Sequence, residues 1–127
     1  AGVGTHIDAP SHCYIGAENV DEIGLERLIN KCFVIDISAN STSRYSLNVD
    51  DVLEFEENYQ AIEPNSTVLI RTAWGEKYWH SAEKYLNDMS FPSVGIDAAE
   101  ILMERGISAL GIDVISPDSL LLQNIFF

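Results

Sequence analysis

Positive charge is scarce in this sequence. Lysine and arginine together number seven against 20 aspartate and glutamate residues, so the 127-residue chain has a formal net charge of −13 at pH 7. A surface of this sign repels phosphate groups, which argues against nucleic acid and anionic membranes as partners. The acidity is compatible with a cation-binding site, although carboxylates that only keep a protein soluble give the same total.

Cysteine and long apolar runs are also scarce. The two cysteines, Cys13 and Cys32, lack the paired spacing of a metal site, and we expect them to be free, buried thiols. No apolar run reaches the roughly 18 residues that a membrane-spanning helix needs. No Gly-x-Ser-x-Gly elbow is present to activate a serine nucleophile. No signal peptide is visible, but a missing start makes that absence uninformative, and the cytoplasm is simply the default location.

Hydrophobic patterning predicts alternating strands and helices. Apolar, β-branched runs predict buried strands at 32–37, 67–72 and 107–112. Helical spacing and capping residues predict helices at about 22–29, 51–59, 81–86 and 98–105, with an aromatic-rich loop at 73–79. Asp21 is the predicted cap of the first helix and Asp50 that of the second. Residues 120–127 fit either a strand or a helix. This order is typical of an α/β domain, and physical rules alone favour a doubly wound sheet.

Histidine and aspartate lie close together near the start of the chain. If the backbone is extended there, His6 and Asp8 project from the same side, and this pair of donors suits a divalent metal such as zinc or manganese. Pro10 would end the strand, which leaves His12 just past the turn, where a proton-transfer residue is useful. Spacing alone also allows a structural role, in which His6 makes a hydrogen bond and Asp8 caps a turn.

Residues 4–12 read Gly-Thr-His-Ile-Asp-Ala-Pro-Ser-His. This stretch resembles the signature His-x-Gly-Thr-His-x-Asp-x-Pro-x-His of the cyclase-like metal-dependent hydrolases, the family of bacterial kynurenine formamidase and isatin hydrolase. Further segments of the chain follow in the order found in that family, namely 20–23, 34–38, 68–74, 111–113 and 116–118. The resemblance therefore covers nearly the whole chain.

The chain departs from the family pattern in two places. The first histidine of the signature would fall at Gly2, and the His and Glu that the family carries after its Ser-Pro-Asp segment do not follow Asp118. We therefore expect that an N-terminal segment, a loop near 119 and a C-terminal tail are missing, and that residues 1–127 form a single domain.

The resemblance implies a fold, a chemistry and a set of residue roles. The fold is a swivelling β/β/α sandwich with a mixed sheet, and the activity is hydrolysis of a small amide, similar to arylformamidase, which converts N-formylkynurenine to kynurenine in tryptophan catabolism. His6 and Asp8 become ligands of Zn or Mn, His12 becomes the general acid–base, and the subunits form a homodimer or homotetramer. The alternative is a relative that lacks the full metal site and binds a small ligand or serves as an assembly protein.

Arg71 and Trp74 lie at the end of the predicted central strand, where open sheets commonly bind ligands. Trp74 is suited to stacking on an aromatic substrate, and Arg71 to holding a carboxylate through two hydrogen bonds. The alternatives are core packing for Trp74 and a surface ion pair for Arg71, and the sequence does not decide between them. Asp113 and Asp118, which follow the last predicted strand, either face the same cleft or cap turns.

Overall fold

The computed structural model describes residues 4–118. The strands and α-helices, in chain order, are β1 (Cys32–Asp36), β2 (Ser46–Leu47), α1 (Val49–Asn58), β3 (Thr67–Arg71), α2 (Trp74–Tyr78), α3 (Ala82–Leu86), β4 (Ser93–Val94), α4 (Ile96–Glu104) and β5 (Ala109–Ile112). Short 3₁₀ turns lie at Pro10–His12, Leu25–Arg27 and Asn87–Met89. The predictions for Gly2 and for residues 120–127 lie outside the described residues.

A three-stranded parallel sheet in the order β1-β3-β5 forms the centre of the molecule. Its register places Val34 opposite Leu69, and Leu69 opposite Gly111. Strands β2 and β4 pair in parallel as a separate two-stranded sheet. In both crossovers the chain leaves the main sheet, adds a short strand to the second sheet, forms a helix and returns. The second crossover also contains α2 and α3, which precede its short strand.

The main sheet is packed on one face and open on the other. The inner face carries Phe33, Ile35, Val68 and Ile70, which form the core together with Val52 of α1 and Ala98 and Leu102 of α4. Both crossover helices lie on this face, as expected for right-handed connections between neighbouring strands. On the outer face, Val34 and Leu69 are 48% and 40% exposed. The strands are therefore buried on one side only, whereas the sequence predicted burial on both.

Helix α1 begins one residue after Asn48, two residues earlier than predicted. The Asn48 side chain accepts hydrogen bonds from the backbone N–H groups of Asp50 and Asp51, and the Asp51 carboxylate accepts one from the Asn48 N–H. This reciprocal arrangement is a capping box, and it replaces the predicted cap at Asp50. The Tyr45 hydroxyl also donates to Asp51, at 2.8 Å. The predictions for α3 and α4 are confirmed to within two residues at each end.

Two predictions of local structure are wrong. The segment 22–29 forms only the 3₁₀ turn Leu25–Arg27, and Leu25, Leu28 and Ile29 remain exposed. A short amphipathic helix needs a surface that buries its apolar stripe, and this segment has none in the described structure. Conversely, the loop predicted at 73–79 contains α2. Among residues 4–118 both sheets pair only in parallel, so the mixed sheet stays a prediction.

The N-terminal segment, which we define as residues 4–30, differs from the rest of the described chain because it contains no buried residue. It also contains no β-strand or α-helix. The cysteines, Cys13 and Cys32, are free as predicted, but both are exposed, so the expectation that they are buried is wrong. Within residues 4–118 no helix has the length and apolar character needed to cross a bilayer.

Candidate metal and proton-transfer site

His6 and Asp8 come together without the strand that the sequence predicted. Residues 6–9 have no regular structure and pair with no strand. The two side chains nevertheless meet, with His6 Nε2 3.6 Å from Asp8 Oδ2. The chain then enters the 3₁₀ turn Pro10–His12, whose first position suits proline because that backbone nitrogen needs no hydrogen-bond partner.

The hydrogen bond of His6 fixes which ring nitrogen faces Asp8. His6 Nδ1 lies 2.8 Å from the Gly4 carbonyl oxygen. A carbonyl can only accept, so Nδ1 carries the proton, and in the neutral ring the Nε2 lone pair points toward the Asp8 carboxylate. A lone pair facing a carboxylate is unfavourable unless a proton or a cation lies between them. Metal-ligating histidines are commonly oriented by such a bond from the second ring nitrogen.

The donor set fits a divalent cation. Two ligand bonds of about 2.1 Å that meet near the tetrahedral angle place their donor atoms about 3.4 Å apart. The observed 3.6 Å between nitrogen and oxygen is close to that separation. One imidazole nitrogen and one carboxylate oxygen suit zinc or manganese. Among residues 4–118, however, no group of three or more His, Cys, Asp or Glu side chains is arranged to hold an ion.

Asp8 and His12 line an open pocket of about 410 Å³. Its other lining residues are Ile7, Ala9, Ser11, Asn19, Val20 and Asp21. Asp21 brings a second carboxylate to this pocket, whereas the sequence predicted that it caps a helix. The contact between residues 18–22 and the histidine motif places it there, and no capping or periodicity signal indicated that contact.

Residues 18–22 fold back onto the histidine motif to form one wall of this pocket. The Ser11 N–H donates to the Glu18 carbonyl oxygen at 3.0 Å. The Glu18 carboxylate forms an ion pair with Arg27. Glu22 accepts a hydrogen bond from the Asn19 N–H at 2.7 Å. These polar contacts hold the wall in place where no buried side chain does so.

Arg71 forms the ion pairs that the sequence allowed as the alternative to substrate binding. Its guanidinium donates to Asp36 Oδ2 at 2.7 Å and to both oxygens of Glu76 at 2.8 and 3.0 Å. Bonds with Glu76 and Asp36 raise the pKa of Arg71. The pKa of Asp36 is lowered, first by hydrogen bonds from Ser38 and then by Arg71.

Trp74 is only 4% exposed, which matches the core-packing alternative. Its Nε1 donates to the Tyr85 carbonyl oxygen at 2.9 Å, and its ring meets Tyr78 edge-on with centroids 4.6 Å apart. Neither Arg71 nor Trp74 lines the pocket that contains His12. The structure therefore brings His6, Asp8 and His12 into one region and does not bring the two substrate-binding candidates to that pocket.

Asp113 organises the turn between β3 and α2. Its carboxylate accepts hydrogen bonds from the Thr72 N–H, the Thr72 hydroxyl and the Ala73 N–H, at 2.6–2.9 Å. These bonds hold Ala73 in the left-handed region, with φ of 57°. Asp113 thus caps a turn, while burial raises the pKa of Tyr85 and the charge of Asp113 adds to that shift. Burial also raises the pKa of Asp118.

Comparison with known proteins places this geometry in a family. The Cyclase family model matches residues 1–119. Kynurenine formamidase of Bacillus mycoides strain KBAB4 is 30% identical over 118 residues, which are 92% of this chain and 49% of that protein. Kynurenine formamidase of Bacillus cereus strain ATCC 14579 is 29% identical over 117 residues, again 92% and 49% of the two chains.

Solved structures give the same assignment. Isatin hydrolase A from Ralstonia solanacearum superposes with a TM-score of 0.77 at 31% identity, and the match covers 88% of this chain and 46% of that one. An isatin hydrolase bound to the product analogue thioisatinate gives a TM-score of 0.76 at 27% identity, with the same shares covered. The chain spans about half the length of the curated relatives it matches, 49% in each case. The motif, the α/β fold with its parallel sheet and these similarities together show that this chain belongs to the Cyclase family.

Proposed function

We propose that the protein hydrolyses a small amide at the site formed by His6, Asp8 and His12, with a divalent cation, Zn or Mn, as cofactor. The observation that carries the proposal is the position of the His6 ring. Its Nδ1 proton is committed to the Gly4 carbonyl, and its Nε2 faces the Asp8 carboxylate at 3.6 Å. That arrangement has a place for a cation and is otherwise unfavourable for a neutral imidazole. The relatives named kynurenine formamidase and isatin hydrolase support hydrolase chemistry.

Each residue has a distinct role in this proposal. His6 and Asp8 hold the cation, which when bound supplies Lewis-acid chemistry that activates water near neutral pH. His12 is exposed at the pocket, where an imidazole can accept a proton from water and return it to the leaving nitrogen. Asp8 and His12 line the same pocket, which supports a shared role for the two residues.

The substrate class within this proposal is an arylformamide, by analogy with the kynurenine formamidases. We retain Arg71 and Trp74 as proposed substrate contacts, with a physical condition on each. Arg71 holds a substrate carboxylate only after Glu76 or Asp36 releases it. Trp74 stacks on an aromatic ring only if α2 moves, because its side chain is buried.

Calorimetric titration with zinc and with manganese, followed by an arylformamidase assay, tests the proposal. His6→Ala and Asp8→Ala should each weaken cation binding at least about tenfold and abolish turnover, because each removes one of the two donors. His12→Ala should retain the cation and lower kcat by about 10²–10⁴-fold, the usual loss for a general acid–base. His80→Ala, an exposed histidine outside the site, is the control and should change neither value. Wild-type protein that binds neither metal and stays inert would refute the proposal.

The second candidate is a relative without catalytic activity that binds a small ligand or serves in an assembly. It is favoured by one observation, namely that residues 4–118 contain no cluster of three ligand side chains. On this alternative the titration shows no cation, and an isatin-like or formamide ligand binds with equal affinity in wild type and in His6→Ala.

We also propose the finer architecture, a β/β/α sandwich in which a second β layer packs on the outer face of the main sheet. All-parallel sheets are rarely left open on one side, and Val34 and Leu69 lie exposed there. Cys32 shares this face, since it alternates with Phe33 in β1. A thiol reagent should therefore modify Cys32 more slowly than Cys13 in the whole protein, and equal rates would contradict the second layer. A single domain, a cytoplasmic location and a homodimer or homotetramer complete the proposal, and sedimentation measures the subunit number.

A further inference from the structure

The pocket that contains His12 lies in a segment with little hydrophobic support. Residues 4–30 include no fully buried side chain, so burial of apolar surface contributes little to fixing the pocket wall. A catalytic constellation must nevertheless be held to within fractions of an ångström. Some other set of contacts has to connect the wall to the folded sheet.

On the side of the pocket, the connection runs through Glu18. Its carbonyl oxygen accepts from the N–H of Ser11, the neighbour of His12, and its carboxylate pairs with the Arg27 guanidinium. Asn19 and Asp21, which line the pocket, follow directly in the chain. An interaction that fixes Glu18 therefore fixes both chain segments that line the pocket, residues 7–12 and residues 19–21.

On the side of the sheet, the connection runs through the backbone of the same arginine. The Arg27 carbonyl oxygen accepts from Asn30 Nδ2 at 3.0 Å, and the same Nδ2 donates to Ser108 Oγ at 2.7 Å. Ser108 directly precedes β5, and its N–H donates to the Ser66 carbonyl oxygen at 2.8 Å. The Asn30 side chain accepts from the hydroxyl of Thr67, the first residue of β3, at 2.8 Å.

We infer that Arg27 is a positioning residue for the His12 pocket, because its guanidinium holds the Glu18 wall while its carbonyl is fixed to the amino-terminal edge of the sheet. The inference rests on the proposed function only for its catalytic consequence. The side chains of Arg27 and Glu18 are 42% and 34% exposed, so the pair is partly screened by water and its effect is local and moderate.

Hydrogen exchange at the Ser11 amide measures this positioning directly, independently of activity. Arg27→Met and Glu18→Gln should each accelerate Ser11 exchange about threefold to fivefold, and the double variant should exchange no faster than either single one. Arg27→Lys should recover part of the protection, since lysine keeps the charge but not the planar fork. In the wild type, 1 M salt should accelerate the same exchange through screening, and in Arg27→Met it should not.

Lys31→Met is the matched control. It removes the Lys31–Glu63 ion pair, whose cation is exposed to a similar degree as Arg27, 45% against 42%, and whose carboxylate is more exposed, 57% against 34%; this pair does not line the pocket. Ser11 exchange should stay at the wild-type rate. In the arylformamidase assay, Arg27→Met should raise KM about threefold or more with kcat within twofold, because the wall that meets the substrate is displaced while His12 and the cation donors remain.

Two results would overturn the inference. One is Ser11 exchange at the wild-type rate in both Arg27→Met and Glu18→Gln. The other is acceleration in Arg27→Met that Glu18→Gln does not reproduce, which would mean that the arginine acts through a different partner. If the wild type has no turnover, the proposed function fails, but the exchange and the coupling of the two residues still decide the role of Arg27.

Discussion

The N-terminal segment and the α/β unit that follows it, residues 32–113, use the same apolar residues in opposite ways. Ile15 and Ile29 of the N-terminal segment are 109% and 77% exposed, whereas Ile35 and Ile70 of the sheet are 3% and 1% exposed. The residues that carry the proposed chemistry lie in the first region, and the hydrophobic core lies in the second. The hydrophobic core and the proposed chemical site therefore lie in different parts of the chain. Substitutions should change the stability of the fold without changing the site, or the reverse.

The largest difference between the regions should appear when isoleucine is truncated. Ile70→Ala should lower the free energy of unfolding by about 2–5 kcal/mol, since it opens a cavity in the core. Ile15→Ala should change it by less than about 0.5 kcal/mol, because the side chain contributes no burial. Urea denaturation measures both values. Similar losses for the two variants would show that the N-terminal segment has a core contact of its own.

Aspartate gives the second comparison. Asp113→Ala should cost about 1–3 kcal/mol of unfolding free energy, because it leaves the N–H of Thr72, a fully buried residue, without its partner. Asp8→Ala should leave the metal-free stability nearly unchanged, since Asp8 is exposed and its ion-pair partner, His6, is exposed as well. A stability loss in Asp8→Ala comparable to that in Asp113→Ala would show that the N-terminal segment also contributes to the stability of the fold.

The pH dependence of stability should come in part from Glu56, which lies in α1. Hydrogen bonds from Arg105 lower the pKa of Glu56 in the folded state below its ordinary value of 4.5. The unfolded state therefore binds a proton first as pH falls, so the stabilisation is present above pH 4.5 and is lost as pH falls through the folded pKa. Glu56→Gln should be less stable at pH 7 and show a shallower loss between pH 5 and pH 3. An unchanged acid limb would contradict this assignment.

The smallest expected effect on stability is an increase, at Ala73. Ala73 has a left-handed backbone, which glycine adopts without the steric cost that a Cβ carries. Ala73→Gly should therefore raise the free energy of unfolding by up to about 1 kcal/mol, since the left-handed cost of about 1–2 kcal/mol exceeds the entropy cost of glycine, about 0.4–1 kcal/mol. Ala98→Gly, in the interior of α4, should lower it by at least a similar amount. Destabilisation by both substitutions would mean that the methyl group of Ala73 packs more favourably than its backbone conformation costs.

The sequence predicted the sheet well because each main strand is a run of apolar, β-branched residues between turn residues. It failed where tertiary contacts decide the structure. The apolar stripe at 22–29 has the spacing of a helix but finds no surface, and α2 follows a left-handed alanine that no propensity indicates. Both are cases in which context overrides local preference.

The sequence predicted that His6 and Asp8 lie together, but the structural reason that it gave, an extended strand, was wrong. Period-two alternation placed His6 beside Asp8, yet the two meet in irregular chain, where the bond to Gly4 sets the ring. Asp21 and Arg27 were assigned to a helix and not to the pocket. The position of Asp21 depends on the hydrogen bond between Ser11 and Glu18. That of Arg27 depends on Glu18 and, through Asn30, on Ser108. A single sequence carries no periodic signal for such contacts.

The two crossovers have the same order of short strand and helix, and this order determines where the chain can accept insertions. In both, the short strand leads into the helix within two residues, while the connections that precede it, 37–45 and 72–92, differ in length by more than twofold. Insertions are therefore absorbed at the carboxyl ends of β1 and β3, the edge where Arg71 and Asp113 lie. A longer connection after β1 or β3 would add residues at this edge and could change binding specificity there. The pairing of β1, β3 and β5 would stay unchanged.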